Sequence, residues 1–330
     1  MRSFSLTGRR QLTWAQDGPV PVPGRGEVLV RVGACTICNR SDLVYFHYLG
    51  LRDHCAQGCF GHEVAGTVEA AGDQVTRARP GDRVFLRTPL TTGFAEFALA
   101  RQVAVGRLPD QIPFEQGPIL QLLPLAVHAT RGIRLGDRVA ILGQGPVGLM
   151  ALQVAARRGA SELVVADLDP WRLEHARALG ADRTVHLPPG GTASWDRLGA
   201  DFDVAIDAVG TPATANGCVA LVRTNGLVVF LGTHHVDTSV TFDLITWEKK
   251  GLRIHTAAEA TDEARAAAML VAERLAPSID LARLLTATYP LEELPAALDR
   301  LSASSVLEPA AAASAHPGPP PHTLKLSIVP

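Results

Sequence analysis

Apolar and polar positions change their period near residue 114. Before that point the chain runs in short apolar stretches, "VLVRVGA", "HEVAGTVEAAG", "GDRVFLR" and "GFAEFALA", divided by glycine and proline. Such runs read as strands, and punctuation of the kind in "QDGPVPVPGRGE" reads as turns. One segment, "CTICNRSDLVYFHYLG", places Leu43, Val44 and Phe46 behind Ser41 or Asp42, either of which is placed to cap a short helix. The first third is therefore expected to be a β-rich lobe with one helix.

After Phe114 the apolar positions lengthen into helical period and alternate with continuous apolar runs. "GPILQLLPLAVHATRG", "PVGLMALQVAARRGA", "DPWRLEHARALGA" and "ATANGCVALVR" read as helices, and "DRVAILG", "ELVVADLD", "DFDVAIDAVG" and "GLVVFLG" as buried strands. Continuous apolar strands separated by amphipathic helices predict a doubly wound parallel sheet covered on both faces. "DEARAAAMLVAERLA" and "LEELPAALDRLSAS" are late helices. From Glu308 to His322 the alanine- and proline-rich sequence has few large apolar side chains and reads as a loop, and "TLKLSIVP" alternates as a strand expected to rejoin the N-terminal lobe. The fold class is α/β, with the β-rich domain over 1–118 and 288–330 and the doubly wound domain over 119–287.

Composition narrows the partners. At 330 residues the chain suffices for two cores, and 47% hydrophobic with 19% charged residues is ordinary globular composition. A formal net charge of −2 gives no field that draws nucleic acid or an anionic membrane, so a small-molecule ligand is expected. The N-terminus lacks the apolar core of a secretory signal, and no apolar run approaches the roughly 20 residues of a membrane span, which reads as a cytoplasmic protein.

The turn in "VAILGQGPVGLM" carries a cofactor pattern. Gly143, Gly145 and Gly148 form GxGxxG between a strand and a helix: the first allows the tight turn, the second lets a pyrophosphate approach the backbone, and the third lets helix and strand pack closely. Pro146 suits the first turn of the helix, where its missing N–H costs nothing. The next strand ends at Asp167, about 20 residues on, where a carboxylate binds the adenosine ribose. Its charge opposes a ribose 2′-phosphate and favours NAD over NADP, while Arg172 is close enough in sequence to reach a phosphate. Val147, Val209 and Gly232 complete the expected cofactor contacts.

A second cluster lies upstream. Gly61-His62-Glu63 sets an imidazole beside a carboxylate, and Cys38 precedes it; thiolate, imidazole and carboxylate are the donors that zinc takes. Cys35-x2-Cys38 with Cys55-x3-Cys59 is a rival pattern, a four-cysteine structural zinc site that leaves His62 without a role. Five cysteines, an odd number, do not suggest a disulfide framework.

Taken in order, "ICNRSDL", "GHEVAGTVEAAG", "PGDRV", "GFAEFALA", "HAT" and "GQGPVG" resemble the zinc-dependent medium-chain dehydrogenase/reductase superfamily, the alcohol, sorbitol and threonine dehydrogenase group. The resemblance spans nearly the whole chain. It implies a GroES-like catalytic domain that includes the C-terminal strand, a Rossmann domain, and a homodimer or homotetramer. By position it makes Cys38 and His62 zinc ligands, Glu63 a ligand or its close partner, and Ser41 the hydroxyl that receives the substrate's proton.

The chain departs from the family pattern at four places. Two residues separate Cys38 from Ser41 where one is usual. Val44 stands where a relay histidine is usual, with His47 nearby as its substitute. Gln121 stands where polyol-type relatives carry a glutamate, so Glu63 and a water are expected to complete the site. Between Arg83 and Phe97 there is no cysteine, so one catalytic zinc and no structural zinc are expected, and Cys35, Cys55, Cys59 and Cys218 read as packing or free thiols. The implied activity is NAD-linked interconversion of a secondary alcohol, of polyol, cyclitol or sugar-like type, and its ketone. A zinc-free reductase of a carbonyl or activated alkene and a retired dinucleotide-binding protein are the alternatives.

Overall fold

The computed structural model describes residues 1–48, 60–187, 195–232, 239–259, 261–304 and 322–330. It divides into two compact units, Met1–Gln121 with Asp262–Pro330, and Leu122–Thr261. The expected alanine- and proline-rich loop, Cys55 and Cys59 lie largely or wholly outside the described residues.

The first unit opens with the hairpin β1 (Ser3–Gly8) and β2 (Gln11–Ala15). There follow β3 (Glu27–Thr36), α1 (Ser41–Tyr48), β4 (Glu63–Ala71), β5 (Arg83–Arg87), β6 (Phe97–Arg101) and β7 (Val105–Arg107). The expected single helix is α1, and Leu43, Val44 and Phe46 bury its apolar side. A 3-10 turn, Gly117–Gln121, ends this segment.

In the second unit α2 (Leu122–Ala129) precedes β8 (Arg138–Leu142), α3 (Pro146–Arg157), β9 (Glu162–Asp167), α4 (Pro170–Ala178) and β10 (Arg183–His186). The run closes with β11 (Phe202–Asp207), α5 (Pro212–Leu221), β12 (Val222–Phe230), α6 (Leu244–Lys250) and β13 (Arg253–Thr256). All six strands pair in parallel in the order β10-β9-β8-β11-β12-β13. The order reverses between β8 and β11, the switch point at which doubly wound sheets bind nucleotides. Val139, Ala140, Ile141 and Leu142 are all buried, so the strand is covered on both faces and its sequence has no polar alternation. The stretch expected as one helix from Gly117 is instead a 3-10 turn followed by α2, whose third residue is Pro124. Proline is tolerated only in a helix's first turn, which fixes where α2 begins.

The chain then returns to the first unit with α7 (Asp262–Leu275), β14 (Leu285–Pro290), α8 (Leu294–Ala303) and β15 (Lys325–Val329). The compact unit it rejoins takes in Asp262–Pro330. α7 is held to it: Glu273 accepts the Arg107 backbone N–H at 3.2 Å and pairs with Arg77 at 3.5 Å, and Met269 is fully buried. The seven-stranded sheet runs β14-β15-β3-β4-β5-β7, with β6 also paired to β3, so the C-terminal strand does rejoin the N-terminal lobe. Its core gathers Val30, Val64, Leu86 and Phe94 with Leu294, Leu298 and Leu301 of α8 and Leu326 and Ile328 of β15. Among the described residues no helix is long and apolar enough to cross a membrane.

Candidate active site

Strand register assembles the metal-ligand cluster. Thr36, the last residue of β3, pairs with Glu63, the first of β4, and Glu63 pairs with Arg87 at the end of β5. Ser327 of β15 pairs with Thr36 on the other side. Paired residues point to the same face, so Ser327, Thr36, Glu63 and Arg87 form one row across the sheet. Cys38 lies just beyond the end of β3 and His62 just before β4. Ligand atoms of Cys38, His62 and Glu63 lie within 4.8 Å of one another.

Asp42, fully buried in the first turn of α1, ties the two halves of this cluster together. One carboxylate oxygen accepts the Cys38 backbone N–H at 2.8 Å; the other accepts the Gly61 N–H at 2.9 Å and lies 3.7 Å from His62 Nδ1. Gly61 has φ +72°, and a Cβ there would come within 2.8 Å of the Phe94 ring. Glycine is thus needed both for the turn and for the packing that presents His62. Asp42 was expected at most as a helix cap; its carboxylate instead turns back to the backbone on either side of the cluster.

The electrostatics favour a thiolate facing a protonated imidazole, whose proton a bound metal would displace. Burial raises the Cys38 thiol, but the facing His62 outweighs it and holds Cys38 below its ordinary pKa. Burial pushes His62 down, and Cys38 with Asp42 more than reverse this, leaving the imidazole well above its usual value. A softened thiol, an imidazole and a buried carboxylate are a donor set that zinc accepts, and two hard-or-borderline donors beside a thiolate suit it better than magnesium or calcium.

A residue with no assigned role completes the row. Lys325 Nζ, 1% exposed, meets both Glu63 oxygens at 2.7 and 2.6 Å and the Ile37 carbonyl at 3.2 Å. Thr36 Oγ1 also donates to Glu63. The signal was present in "TLKLSIV": two-residue alternation sets Lys325 and Ser327 on one face and Leu324, Leu326 and Ile328 on the other. A lysine in an otherwise apolar strand needs a buried partner.

The other candidates fall as follows. Ser41, half-buried, opens α1 three residues after Cys38. His47 is buried, with Nε2 2.8 Å from Ser302 Oγ on α8, and is not part of the metal-ligand group. Six residues on an α-helix rotate by about 240° relative to the face of Ser41, which separates the two side chains. Gln121 is buried, and its Oε1 has no hydrogen-bond partner among the described residues. Cys35 lies on the opposite face of β3 from Thr36, packed in the apolar core, where burial raises its thiol well above the ordinary range. Cys35 is not a member of the metal-ligand group among the described residues, and Cys55 and Cys59 of the four-cysteine pattern lie outside them.

In the second unit the glycine-rich turn has the geometry that a dinucleotide requires. Gly143 has φ +91°, and a Cβ on Gly148 would lie 1.9 Å from the Gly143 carbonyl. Around Gly145 nothing lies within 4 Å of where a Cβ would be, which leaves open space at the N-terminus of α3. Pro146 and Val147 begin α3, and Val209 packs against Gly143. Gly232 donates its N–H to the Asp207 carbonyl at 2.8 Å. Asp167 accepts the Gln144 N–H at 2.6 Å and the Asp169 N–H at 2.9 Å, so its carboxylate is fixed beside the turn. Arg172 Nε lies 3.8 Å from Asp169, which leaves it close to that edge.

Comparison with known proteins agrees with this architecture. Residues 24–110 match the alcohol dehydrogenase GroES-like domain and residues 146–273 the zinc-binding dehydrogenase domain. Human sorbitol dehydrogenase is 30% identical over 261 residues, covering 68% of this chain and 73% of that protein. Two solved structures share the fold: galactitol-1-phosphate dehydrogenase from Escherichia coli (TM-score 0.80, 21% identity, all of both chains) and a zinc-binding dehydrogenase from Sinorhizobium meliloti bound to NADP (TM-score 0.79, 22% identity, 100% and 99% of the chains). With the GroES-like sheet, the Rossmann sheet and the relatives in agreement, the chain belongs to the zinc-dependent medium-chain dehydrogenase/reductase superfamily.

Proposed function

We propose that the protein is an NAD-dependent zinc dehydrogenase that interconverts a secondary alcohol, of polyol, cyclitol or sugar-like type, and its ketone. Its relatives make it an oxidoreductase of the alcohol and polyol dehydrogenase kind. The observation that carries the zinc reading is the group formed by Cys38, His62 and Glu63 within 4.8 Å, its backbone pinned on both sides by Asp42.

Cys38, His62 and Glu63 are the residues that would hold the metal. Zinc, when bound, supplies the Lewis acidity that lowers the pKa of a substrate hydroxyl. Asp42 orients His62 and fixes the Cys38 amide, so both donors keep their direction when the substrate changes. Ser41 takes the carbinol proton as a positioned hydroxyl. His47, held by Ser302, serves packing and not the relay. In the cofactor turn the α3 N-terminus and the open space at Gly145 would hold the pyrophosphate, and Val147, Val209 and Gly232 are the further residues that would contact the cofactor. Asp167 keeps lone pairs for ribose hydroxyls beyond the two N–H groups it already accepts, and its charge disfavours a 2′-phosphate. Arg172 is the residue that works against this preference.

The family supports a homodimer or homotetramer, and the composition a cytoplasmic enzyme. The test is a screen of purified protein for NAD reduction against polyols, cyclitols and amino alcohols, paired with removal of the metal. Turnover that disappears with the metal and returns with zinc is expected; full activity in a metal-free preparation contradicts the reading.

A further inference from the structure

Lys325 occupies a position that the zinc reading leaves unexplained. A buried ammonium is costly, and here it sits against the carboxylate proposed as the third metal donor. Its three contacts are the two Glu63 oxygens at 2.7 and 2.6 Å and the Ile37 carbonyl at 3.2 Å. Every one of them belongs to the segments that flank Cys38 and His62. The strand that carries it is anchored independently: β15 pairs with β3 through Ser327 and Ile328, Ile37 donates its N–H to the Leu326 carbonyl at 3.0 Å, and Leu326 and Ile328 lie in the core. Lys325 is therefore a fixed cation that Glu63 meets, and not a mobile side chain recruited by it.

A carboxylate that shares both oxygens with an ammonium has less electron density to give a metal than a free one. We propose that Lys325 is a positioning residue for the metal site: it holds Glu63 to the β15 side, so that Glu63 reaches zinc only as a donor shared with an ammonium. This rests on the zinc reading above. Two consequences follow. The metal is bound less tightly than three free donors would hold it, which preserves its Lewis acidity for substrate. The donor set presented to the metal also depends on a residue from the far end of the chain.

Cobalt(II) substituted for zinc tests this, because its absorption spectrum reports donor identity and geometry independently of turnover. Wild-type protein, Lys325→Arg, Lys325→Met, Glu63→Gln and the double variant Glu63→Gln/Lys325→Met are titrated with cobalt and then competed with zinc. Lys325→Arg is expected to keep the wild-type spectrum. Lys325→Met, which leaves Glu63 with only the Thr36 hydroxyl, is expected to change the spectrum and tighten metal binding by about tenfold or more, whereas in the Glu63→Gln background the same substitution leaves the spectrum unchanged. Should Lys325→Met not fold, Lys325→Gln replaces it, because a neutral amide can still hydrogen-bond Glu63 without sharing it with an ammonium; its spectrum is then expected to differ from wild type. Wild-type protein that takes up cobalt while Lys325→Met, or Lys325→Gln in its place, keeps the wild-type spectrum overturns this inference and leaves the zinc reading standing. Wild-type protein that takes up no cobalt overturns both.

Discussion

The carboxylate of Asp42 accepts the backbone N–H of Gly61 at 2.9 Å, joining the first turn of α1 to the residue that presents His62. Its other oxygen accepts the Cys38 N–H at 2.8 Å. Cys38 and His62, two proposed ligands well apart in sequence, are thereby set by one buried anion.

Replacing Asp42 by alanine should therefore cost stability and metal together. Two hydrogen bonds to a buried charge are lost and two N–H groups are left without their acceptor, an effect on the order of 3 kcal/mol. Zinc affinity should fall by about 10- to 100-fold, as is usual when a residue that orients a ligand is removed. Thermal unfolding with and without zinc, together with a competitive chelator titration, reads both. An Asp42→Ala protein with wild-type zinc affinity would show that Cys38 and His62 are aligned by other means.

Ser41→Ala should leave zinc content and dinucleotide binding unchanged while kcat falls by about 10²- to 10⁴-fold, the range for a lost proton-transfer group. Ser41→Thr should retain most of the activity. The comparison of kcat with metal content and cofactor affinity separates proton transfer from a folding defect. Loss of zinc in Ser41→Ala would assign the residue to structure.

Two glycines of the cofactor turn should respond in opposite ways. A methyl group on Gly145 enters open space and Gly145 has φ −71°, so Gly145→Ala should fold with an unchanged melting temperature. It should nevertheless lose dinucleotide affinity by about tenfold or more, ~1.4 kcal/mol, because the methyl group fills the pyrophosphate position. Gly148→Ala places a carbon 1.9 Å from the Gly143 carbonyl and should destabilise the second unit with or without cofactor. Dye-monitored unfolding and cofactor titration of the two variants make the comparison.

Asp167→Ala should raise the use of NADP relative to NAD by about tenfold or more, since one charge opposed to a 2′-phosphate is removed. It should also raise the KM for NAD, because a ribose contact is lost. A variant with an unchanged cofactor ratio would give the discrimination to other groups, Arg172 among them.

The fold was legible because period alone separates its two halves. Short apolar stretches divided by glycine and proline, such as "HEVAGTVEAAG", and unbroken apolar runs between helical segments, such as "VAIL" in β8, point to two different kinds of sheet. What the sequence did not reveal depends on long-range pairing. The Glu63–Lys325 contact spans 262 positions, and only the registers of β15 on β3 and β3 on β4 bring it about. The packing of α7 was not legible because it has no turn signal that says which unit it packs on; its contact with Arg107 and Arg77 places it. The partner of His47 was not legible for a local reason. His47 is close to Ser41 in sequence, but the helix turns it toward Ser302.

The zinc content of purified protein, measured for wild type and His62→Ala after growth and purification with zinc present, tests the central claim most directly. The account predicts about one zinc per chain in the wild type and its loss in the variant, with alcohol oxidation lost in parallel. Wild-type protein that holds no zinc yet turns over, or His62→Ala protein that keeps its metal, would contradict it.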